Sequence, residues 1–425
     1  MSEYTVQGIA ITELAERFGT PMYVYDADII ARQFRGLRER LHPSVEMFYS
    51  LKANPNISIC ALLHSMGARA EVSSLTELIT AQRAGVPAEQ IMFLGPGKSR
   101  NEITACVKGD VTLICESFGE LALIDEIAGG LGVTARVVLR VNPAFAVKGS
   151  GLTMGGKPRQ FGIDEDALLS TSDLAGTYPS VYLCGFQAYM GTRFLTEDVI
   201  VENTARILER AEALSEKLGI PLEVVDVGGG LGVAYFDGER DLDVAALTEQ
   251  LNPVFAAFAD RHPQTRLVME LGRYLVGHGG IYAVEVRYVK ESMGELFAVA
   301  DGGTNHHMAA VGIGSFVKRN FPMRLLSREG SPETARWNVT GPLCTPNDTL
   351  GKAVELPADV RPGDVIGVER SGAYGPTASP VHFLSHGYPA EVLVHNGQAR
   401  LIRSRDDAES MLASQILHQF TTEEN

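Results

Sequence analysis

The stretch VEMFYSLKANPN, residues 45–56, places a single lysine, Lys52, at the end of a short apolar run and just before Asn, Pro and Asn. The apolar run is typical of a buried β-strand, and the polar residues after it are typical of a loop. Most lysines are solvated surface charges. An amine at the mouth of a parallel barrel can instead act as a Schiff-base nucleophile. The choice between these two interpretations depends on the rest of the chain.

Short apolar runs alternate with amphipathic segments from Val45 to about Tyr274. In residues 197–219, for example, apolar residues recur every three or four positions, as in a helix. Strands separated by helices indicate βα units and a parallel sheet buried on both faces. Eight runs have the strand pattern, which is the number that closes a (β/α)8 barrel. They are VEMFYSLKA, ARAEVSS, IMFLGPG, VTLICES, ARVVLRVNP, VYLCGFQAYMG, LEVVDVGGG and RLVMELGR.

After Tyr274 the pattern changes to strand-like runs joined by turn-rich pieces such as VRPGDV and HNGQ. A helical pattern returns only in DDAESMLASQILHQF, residues 406–420. The sequence therefore predicts an α/β protein of two domains. Residues 28–278 form the (β/α)8 barrel, and residues 279–425 together with 1–27 form a mainly β domain, either a barrel or a sandwich.

Charge and cysteine content limit the partners and the compartment. The formal net charge of -15 disfavours nucleic acid and anionic membranes as partners. The five cysteines are odd in number and lack metal-ligand spacing, which favours a reduced, cytoplasmic protein. The N-terminus lacks signal-peptide features, and no apolar run approaches the ~20 residues of a membrane helix. We also expect no metal site, because the adjacent His306 and His307 would point apart in a strand.

In a (β/α)8 barrel, functional groups gather at the carboxyl ends of the strands. Gly228–Gly230 follow the seventh strand, which is the usual position of a phosphate site in such barrels. Glycine there lets backbone N–H groups approach an anion closely. The alternative interpretation is that the three glycines only form a tight turn. Glu270 and Arg273 follow the eighth strand. The carboxylate can hold a pyridine nitrogen protonated and the arginine suits an anion, although a structural ion pair is the alternative. Together with Lys52, these residues predict a site for pyridoxal phosphate.

The motifs resemble those of the fold-type III pyridoxal-phosphate decarboxylases, the group that contains diaminopimelate, ornithine and arginine decarboxylases. YSLKAN, VDVGGGLG, ELGR, GPLC and SGAYG occur in that family's order between about Thr20 and about Ser385. The resemblance implies that Lys52 carries the cofactor covalently. It implies that Glu270 pairs with the pyridine nitrogen, where the related alanine racemases use an arginine. The phosphate would be surrounded by Thr192, Gly228, Gly229, Gly230, Gly272, Arg273 and Tyr374.

The resemblance also assigns a role to Cys344, in GPLCTPND. On the residues alone, a single cysteine is most often a small buried hydrophobe. In the family, the cysteine of this motif protonates the substrate carbon after carbon dioxide leaves, and it acts in the active site of the other subunit. A head-to-tail homodimer with composite active sites is therefore implied. Substrate-binding roles are implied for Arg273, Asp301, Thr345 and Tyr374.

Three departures from the family pattern concern the substrate. Tyr189, in YMGT, stands where relatives have a histidine stacked on the cofactor, and its aromatic face preserves stacking. Thr345 replaces the Glu or Asp that contacts the distal amino group of diamino acids, and an unpaired buried ammonium costs about 2–5 kcal/mol. Gln160 replaces the lysine of the usual Lys-Phe-Gly. It ends an insertion, residues 148–160, that is either a lid over an anionic substrate or a surface loop.

The chain looks most similar to the subgroup of the butirosin-pathway decarboxylase, which acts on a glutamyl group tethered to an acyl carrier protein. We therefore predict a decarboxylase of an L-amino acid or an amino-acid conjugate (an aminoacyl carrier protein, or a citryl or acyl amino acid) in specialised-metabolite biosynthesis. A decarboxylase of free diaminopimelate, a racemase or epimerase, and a non-catalytic relative that binds pyridoxal phosphate are the alternatives. Basic residues that could receive a carboxylate or a phosphopantetheine are Lys148, Lys157, Arg159, Lys318 and Arg319.

Overall fold

The computed structural model describes residues 3–146, 149, 152–171, 173–311 and 319–418. The strands are β1 (Thr5–Val6), β2 (Ile9–Ala10), β3 (Met22–Asp26), β4 (Val45–Ser50), β5 (Arg69–Val72), β6 (Ile91–Phe93), β7 (Thr112–Cys115), β8 (Ala135–Asn142), β9 (Leu152–Thr153), β10 (Ile163–Asp164), β11 (Val181–Gln187), β12 (Gly191–Thr192), β13 (Val224–Gly229), β14 (Arg266–Leu271), β15 (Gly280–Ser292), β16 (Glu295–Ala300), β17 (Met323–Leu325), β18 (Thr334–Thr340), β19 (Thr349–Pro357), β20 (Val365–Val368), β21 (Ala390–His395) and β22 (Gln398–Arg403). The helices are α1 (Ile11–Phe18), α2 (Ala27–Arg38), α3 (Ile57–Ser65), α4 (Leu75–Arg83), α5 (Arg100–Lys108), α6 (Phe118–Leu131), α7 (Glu165–Leu169), α8 (Leu174–Thr177), α9 (Glu197–Leu218), α10 (Val244–Arg261), α11 (Arg273–Val276) and α12 (Ala408–Leu412). Two compact units result: Ala27–Gly279, and Met1–Asp26 with Gly280–Asn425.

Eight parallel strands close into a barrel in the unit Ala27–Gly279. Their order is β4, β5, β6, β7, β8, β11, β13 and β14, and β14 pairs again with β4. At least one helix lies between each strand and the next along the chain. The eight predicted strands and the (β/α)8 barrel are therefore confirmed. Each strand is shorter than its predicted run or equal to it, because the last residues of several runs turn into the loops at the rim.

The interior of the barrel is a packed hydrophobic core. Buried side chains from strands around the barrel form it: Phe48, Met92, Leu94, Ile114, Val138, Cys184, Val224 and Val268. Such a core leaves no channel through the barrel, so polar chemistry is restricted to the strand ends.

Serine residues explain why helices begin so soon after several strands. Ser74, Ser99 and Ser117 are the N-caps of α4, α5 and α6, and each side chain accepts a hydrogen bond from the backbone N–H three residues later. Each cap satisfies a backbone donor that the first helical turn would otherwise leave without a partner. The serines that follow β5, β6 and β7 thus serve local structure, and they fix where the rim loops end.

The other unit contains a mixed sheet, as predicted for a mainly β domain. The main path of the sheet is β19-β18-β16-β15-β3-β21-β22, and β20 pairs with both β15 and β17. Parallel pairs join β16 to β18 and β3 to β21. Residues from both ends of the chain build its hydrophobic core, including Met22, Val24, Ile281, Ala283, Val392 and Val394.

The structure differs from the predicted pattern at several elements of this unit. The prediction missed β1, β2, α1 and β3 of the N-terminal segment, the short strand β17, and β19, whose pairing with β18 skips Lys352 and Ala353. The predicted C-terminal helix is wrong in length, because α12 has only five residues. Ile416 and Leu417 are 95% and 86% exposed, so the apolar side of that segment is not buried within this chain.

Among the residues that the structure describes, no helix is long and apolar enough to cross a membrane. Within the same part of the chain, no group of three or more His, Cys, Asp or Glu side chains could hold a metal ion. His306 and His307 are buried: His306 contacts the Tyr282 hydroxyl and the Gly387 carbonyl, and His307 contacts the Ser371 hydroxyl. Both rings therefore have structural partners.

Candidate active site

Lys52 lies at the rim of the barrel, in the short turn Leu51–Ala53 that follows β4. Its Nζ is 3.2 Å from Glu71 Oε2 and 5.6 Å from the centre of the Tyr189 ring. The Lys52 side chain is 34% exposed, whereas that of Glu71 is 1% exposed. Tyr49 steadies the turn by donating its hydroxyl hydrogen to the Asn54 carbonyl at 2.7 Å. The lysine that ends the apolar run is thus an accessible amine in a partly dry, acidic setting.

The glycine turn after β13 brings three strand ends close together. Gly228 and Gly230 have φ angles of +67° and +93°, in the left-handed region that favours glycine. A Cβ on Gly229 would lie 1.6 Å from the Glu270 carbonyl oxygen, and one on Gly230 would lie 2.2 Å from the Gly191 carbonyl oxygen. Only glycine fits at these positions, so no side chain shields the backbone N–H groups of the turn, as expected for a phosphate site.

Glu270, near the end of β14, is buried beside two polar residues that the sequence analysis assigned no role. Gln187 donates a hydrogen bond from Nε2 to Glu270 Oε1 at 3.1 Å. Asp226 lies on the intervening strand β13 and is 1% exposed. Burial, followed by the nearby Glu71 carboxylate, raises the pKa of Glu270 above its usual value. A cation placed next to Glu270 would therefore be bound strongly, which fits a protonated pyridine ring.

Arg273 begins α11, directly after β14, and contacts Tyr235. Its guanidinium donates to the Tyr235 hydroxyl at 3.1 Å and lies 5.5 Å from the ring centre. Arg193 lies 5.5 Å from the same ring and forms a salt bridge with Glu239 at 3.0 Å. Tyr235 was not predicted, since only the fold brings the coil after the glycine turn to Arg273. Tyr235 and Arg193 therefore fix the position of the arginine that was predicted to bind an anion.

Lys98 and Glu116, two further strand-end residues, have structural roles. The Lys98 ammonium donates to the Gly95 and Ile114 carbonyls at 2.8 and 2.6 Å, and it pairs with Glu120 at 2.6 Å. Glu116 pairs with Arg140 at 3.0 Å, and both side chains are buried. Buried ions with this many partners hold the rim loops in place.

The insertion is fastened to the rim where the structure describes it. Its strand β9 pairs with β12, so that Leu152 faces Thr192 in the register, and the Gly156 N–H donates to Asn142 Oδ1 at 2.8 Å. Lys157 and Arg159 are exposed. Lys148 and Lys318 lie outside the described residues. Thr192, predicted near the phosphate, thus shares a two-stranded sheet with the insertion, and the choice between lid and surface loop remains a prediction.

Four of the predicted site residues belong to the sheet unit. Cys344 is exposed in a loop held by Asp348, whose carboxylate accepts hydrogen bonds from the Leu343 and Thr304 backbone N–H groups at 2.7 Å each. Thr345 N–H donates to the Leu343 carbonyl at 2.8 Å. Hydrogen bonds thus hold the loop, and the roles of Cys344 and Thr345 stay predictions.

Asp301 and Tyr374 complete this set. Asp301 accepts hydrogen bonds from the Thr20 hydroxyl at 2.6 Å and from the Glu285 backbone N–H at 2.9 Å. Its side chain is only 4% exposed. These partners give Asp301 a structural role within its own unit. Tyr374 has a φ of +54°, an uncommon conformation for a non-glycine residue.

Pyridoxal phosphate fits the residues that the barrel brings together. The accessible amine of Lys52, the open glycine turn and the buried Glu270 match the aldehyde, phosphate and pyridine nitrogen of that cofactor in chemistry. Glu71, Gln187 and Asp226 were missed as site residues. Asp226 is the single polar side chain of the apolar strand β13, and Gln187 ends the apolar strand β11, so those patterns could have revealed both.

The pKa of Glu77 provides a test of the electrostatics near Lys52. Burial and, to a lesser degree, the neighbouring Glu71 raise the pKa of Glu77 to about 7. The folded protein therefore binds more protons than the unfolded chain, whose Glu pKa is about 4.3. Stability should fall as the pH rises from about 4.3 to 7. Glu77→Gln should remove this loss, which amounts to up to about 3 kcal/mol at pH 8.

Glu102 is the matched control for that experiment, because it occupies the same third position of its helix, α5. Although burial opposes it, hydrogen bonds from Ser99 lower the pKa of Glu102. Glu102→Gln should therefore lower the free energy of unfolding at neutral pH, whereas Glu77→Gln should raise it. Denaturant unfolding at pH 5 and pH 8 measures both variants. Equal pH dependence in Glu77→Gln and the parent protein would contradict the assignment.

Known proteins that are similar to nearly the whole chain are pyridoxal-dependent decarboxylases. A family model described as "Pyridoxal-dependent decarboxylase, pyridoxal binding domain" matches residues 27–277. The L-glutamyl-[BtrI acyl-carrier protein] decarboxylase of Niallia circulans is 41% identical over 411 residues, which cover 96% of each protein. The diaminopimelate decarboxylase of Aquifex aeolicus is 30% identical over 407 residues, covering 95% of this chain and 94% of that protein. The crystal structure of diaminopimelate decarboxylase from M. jannaschii in co-complex with L-lysine superimposes with a TM-score of 0.88 at 27% identity, covering 98% of this chain and 96% of that one.

Proposed function

The chain belongs to the family of pyridoxal-dependent decarboxylases, and from that premise we propose that it decarboxylates an amino acid carried as a conjugate. A glutamyl group tethered to an acyl carrier protein, the substrate named for the relative at 41% identity, is the first candidate. The observation that carries the proposal is Thr345, which stands where the resemblance places an acidic residue in enzymes for diamino acids. The physiological setting would be the biosynthesis of a specialised metabolite.

The barrel residues divide the work of binding and orientation. When bound, pyridoxal phosphate supplies an electron sink for the bond to the departing carboxylate. Lys52 would hold the cofactor through its amine. Glu270 would keep the pyridine nitrogen protonated by placing a negative charge beside it. Gly228–Gly230 and Arg273, with Thr192 and Gly272, would hold the phosphate, as the resemblance also implies for Tyr374, and Tyr189 would contact the ring.

Cys344 is the proton donor in this proposal. Its Sγ proton goes to the substrate carbon that has lost carbon dioxide, and solvent reprotonates the thiolate. The cysteine would act in the site of a partner subunit, so the enzyme would be a homodimer with composite active sites. The odd number of cysteines without metal-ligand spacing favours the cytoplasm as its location. Asp301 would hold the N-terminal segment and β15 together rather than contact the substrate, because Thr20 and Glu285 already occupy its carboxylate.

Thr345 decides between a conjugate and a free diamino acid. A distal ammonium that lost its carboxylate partner would cost about 2–5 kcal/mol, or roughly 30- to 5000-fold in specificity. A tethered glutamyl group has no distal ammonium and loses nothing at this position. Free diaminopimelate remains the second candidate, because relatives at 30% identity carry that activity in their names. A racemase is disfavoured by Glu270, and a non-catalytic relative by the joint presence of Lys52, Glu270 and Cys344.

Carbon dioxide release from a panel of substrates tests this function. We expect release from a glutamyl-loaded acyl carrier protein to exceed release from free diaminopimelate by on the order of 10²-fold in kcat/KM, since no carboxylate at position 345 pairs a distal ammonium. Thr345→Glu should narrow that ratio, whereas the control Thr345→Ser should not. Equal turnover of both substrates by the parent protein would contradict the proposal. Inversion of stereochemistry without carbon dioxide would indicate a racemase.

A further inference from the structure

Three polar side chains meet inside the barrel, below the rim, on the consecutive strands β11, β13 and β14. They are Gln187, Asp226 and Glu270, and they are 1%, 1% and 3% exposed. Gln187 and Asp226 face each other in the strand register. Gln187 Nε2 donates to Glu270 Oε1 at 3.1 Å, and the Gly228 N–H donates to Asp226 Oδ1 at 2.8 Å. Two carboxyl groups therefore share one dry site next to the glycine turn.

The hydrogen-bond partners of Asp226 are incomplete if both carboxyl groups are ionised. Asp226 Oδ2 is buried and receives no hydrogen bond from any residue in the described part of the chain. An ionised carboxylate can only accept hydrogen bonds, whereas a protonated one can donate. Glu270 lies on the adjacent strand β14, close enough for its carboxyl group to shift the pKa of Asp226. A proton on Asp226 Oδ2 therefore satisfies that oxygen and gives Glu270 a second donor besides Gln187.

The charges around the pair favour the same state. Glu71 faces both carboxyl groups, and Lys52 and Arg140 face Glu270. Lys52 pairs with Glu71 at 3.2 Å, and Arg140 pairs with Glu116 at 3.0 Å. Both cations are therefore matched by other carboxylates. Ionisation of Asp226 and Glu270 together would leave two like charges in contact in a water-free setting, which is strongly unfavourable.

We propose that Asp226 is a positioning residue that keeps a proton at neutral pH and donates it from Oδ2 to Glu270, so that the pair carries one negative charge. Glu270, with donors from Asp226 and Gln187, then presents an ionised carboxylate in a fixed orientation to the cofactor's ring nitrogen. Adding a pyridinium would bring the charge of the pair and the ring together to zero. The inference rests on the cofactor assignment and is independent of the identity of the substrate.

The environment of the two groups shifts their pKa values in directions that agree with this geometry. Burial first, and the Glu270 charge second, raise the pKa of Asp226 well above its usual value. The shared hydrogen bond raises the pKa of Asp226 and lowers that of Glu270. Asp226 is therefore the member of the pair that holds the proton.

Asp226→Asn tests the proposal, because an asparagine reproduces the protonated acid. Its Oδ1 can accept from the Gly228 N–H and its Nδ2 can donate to Glu270. On unfolding in guanidinium at pH 7, an unfolded Asp ionises, so the parent protein should release about one proton more than the Asn variant. An indicator dye in unbuffered solution counts these protons, with both proteins carrying equal amounts of cofactor. Equal proton release would overturn the proposal.

Asp226→Ser gives the same count if the Asn variant does not fold, because its hydroxyl can donate to Glu270 but does not ionise at pH 7. The parent should again release about one proton more than this variant. Unchanged release in this variant would overturn the proposal. If the parent protein released no carbon dioxide but the expected difference in proton release was found, the proposed function would be refuted and the proposal for Asp226 would stand.

The affinity for the cofactor provides a second measurement, which separates loss of the hydrogen bond to Glu270 from loss of the negative charge of Asp226. Asp226→Asn should bind pyridoxal phosphate within a few-fold of the parent, because Glu270 keeps its donor. Asp226→Ala should bind on the order of 10- to 100-fold more weakly, because a buried acceptor loses its partner. Fluorescence titration measures both affinities. Equal weakening in the Asn and Ala variants would mean that an ionised Asp226 is needed, which would also overturn the proposal.

Discussion

Lys52→Ala should abolish the yellow colour of the purified protein and lower turnover on the order of 10³-fold or more, as when one member of a catalytic unit is removed. The reason is positional. Lys52 is the rim amine that is 34% exposed, and it lies between the Glu71 carboxylate and the face of Tyr189. Visible absorbance measures the attached cofactor, and carbon dioxide release measures turnover.

Lys98 serves as the internal control for this experiment, because it is also a lysine at the barrel rim. Its side chain is 1% exposed, and its ammonium already has three partners. Borohydride should therefore fix a pyridoxyl group on Lys52 and leave Lys98 unmodified, as mass spectrometry of the peptides would show. A label on Lys98, or colour retained by Lys52→Ala, would remove the basis of the cofactor assignment.

The barrel could be predicted because each of its strands is recognisable from its own residues. A strand such as β4 is buried on nearly all sides, so it is a continuous apolar run that can be recognised without knowing its neighbours. The sheet unit was harder to predict. β3 pairs with β15 and β21, which lie more than 250 residues away in sequence, and its five residues follow a helix that gives no hint of that pairing.

The same distinction separates the predicted site residues from the missed ones. Lys52, Gly228–Gly230 and Glu270 stand at strand ends, and strand ends share one face of a barrel whatever their register. The pairing of Gln187 and Asp226 with Glu270 depends on the register of β11, β13 and β14. Register is set by contacts across the whole sheet, so a single strand does not reveal which of its side chains meet those of its neighbours.

The Cys344→Ala variant should lose about 10²- to 10⁴-fold in turnover, the range for removal of a general acid. The expected cause is that water, rather than a fixed Sγ proton, must protonate the carbon that has lost its carboxylate. In D₂O, the parent should yield a product with deuterium in one stereochemical position, and the variant should yield a mixture. NMR of the product measures this. A single stereoisomer at an unchanged rate from the variant would assign the proton donor elsewhere.

Alkylation provides an independent route to the same residue, since the other cysteines are protected. Cys344 is exposed, whereas Cys60, Cys106, Cys115 and Cys184 are buried. Burial raises the pKa of Cys60 and Cys106 to about 12 and that of Cys184 to about 11, and it raises the pKa of Cys115 as well. Because the thiolate is the reactive form, iodoacetamide at pH 8 should modify Cys344 first and stop turnover with one label per chain. The residual activity of Cys344→Ala should not respond to the reagent, and a fully labelled Cys344 in an active enzyme would exclude its catalytic role.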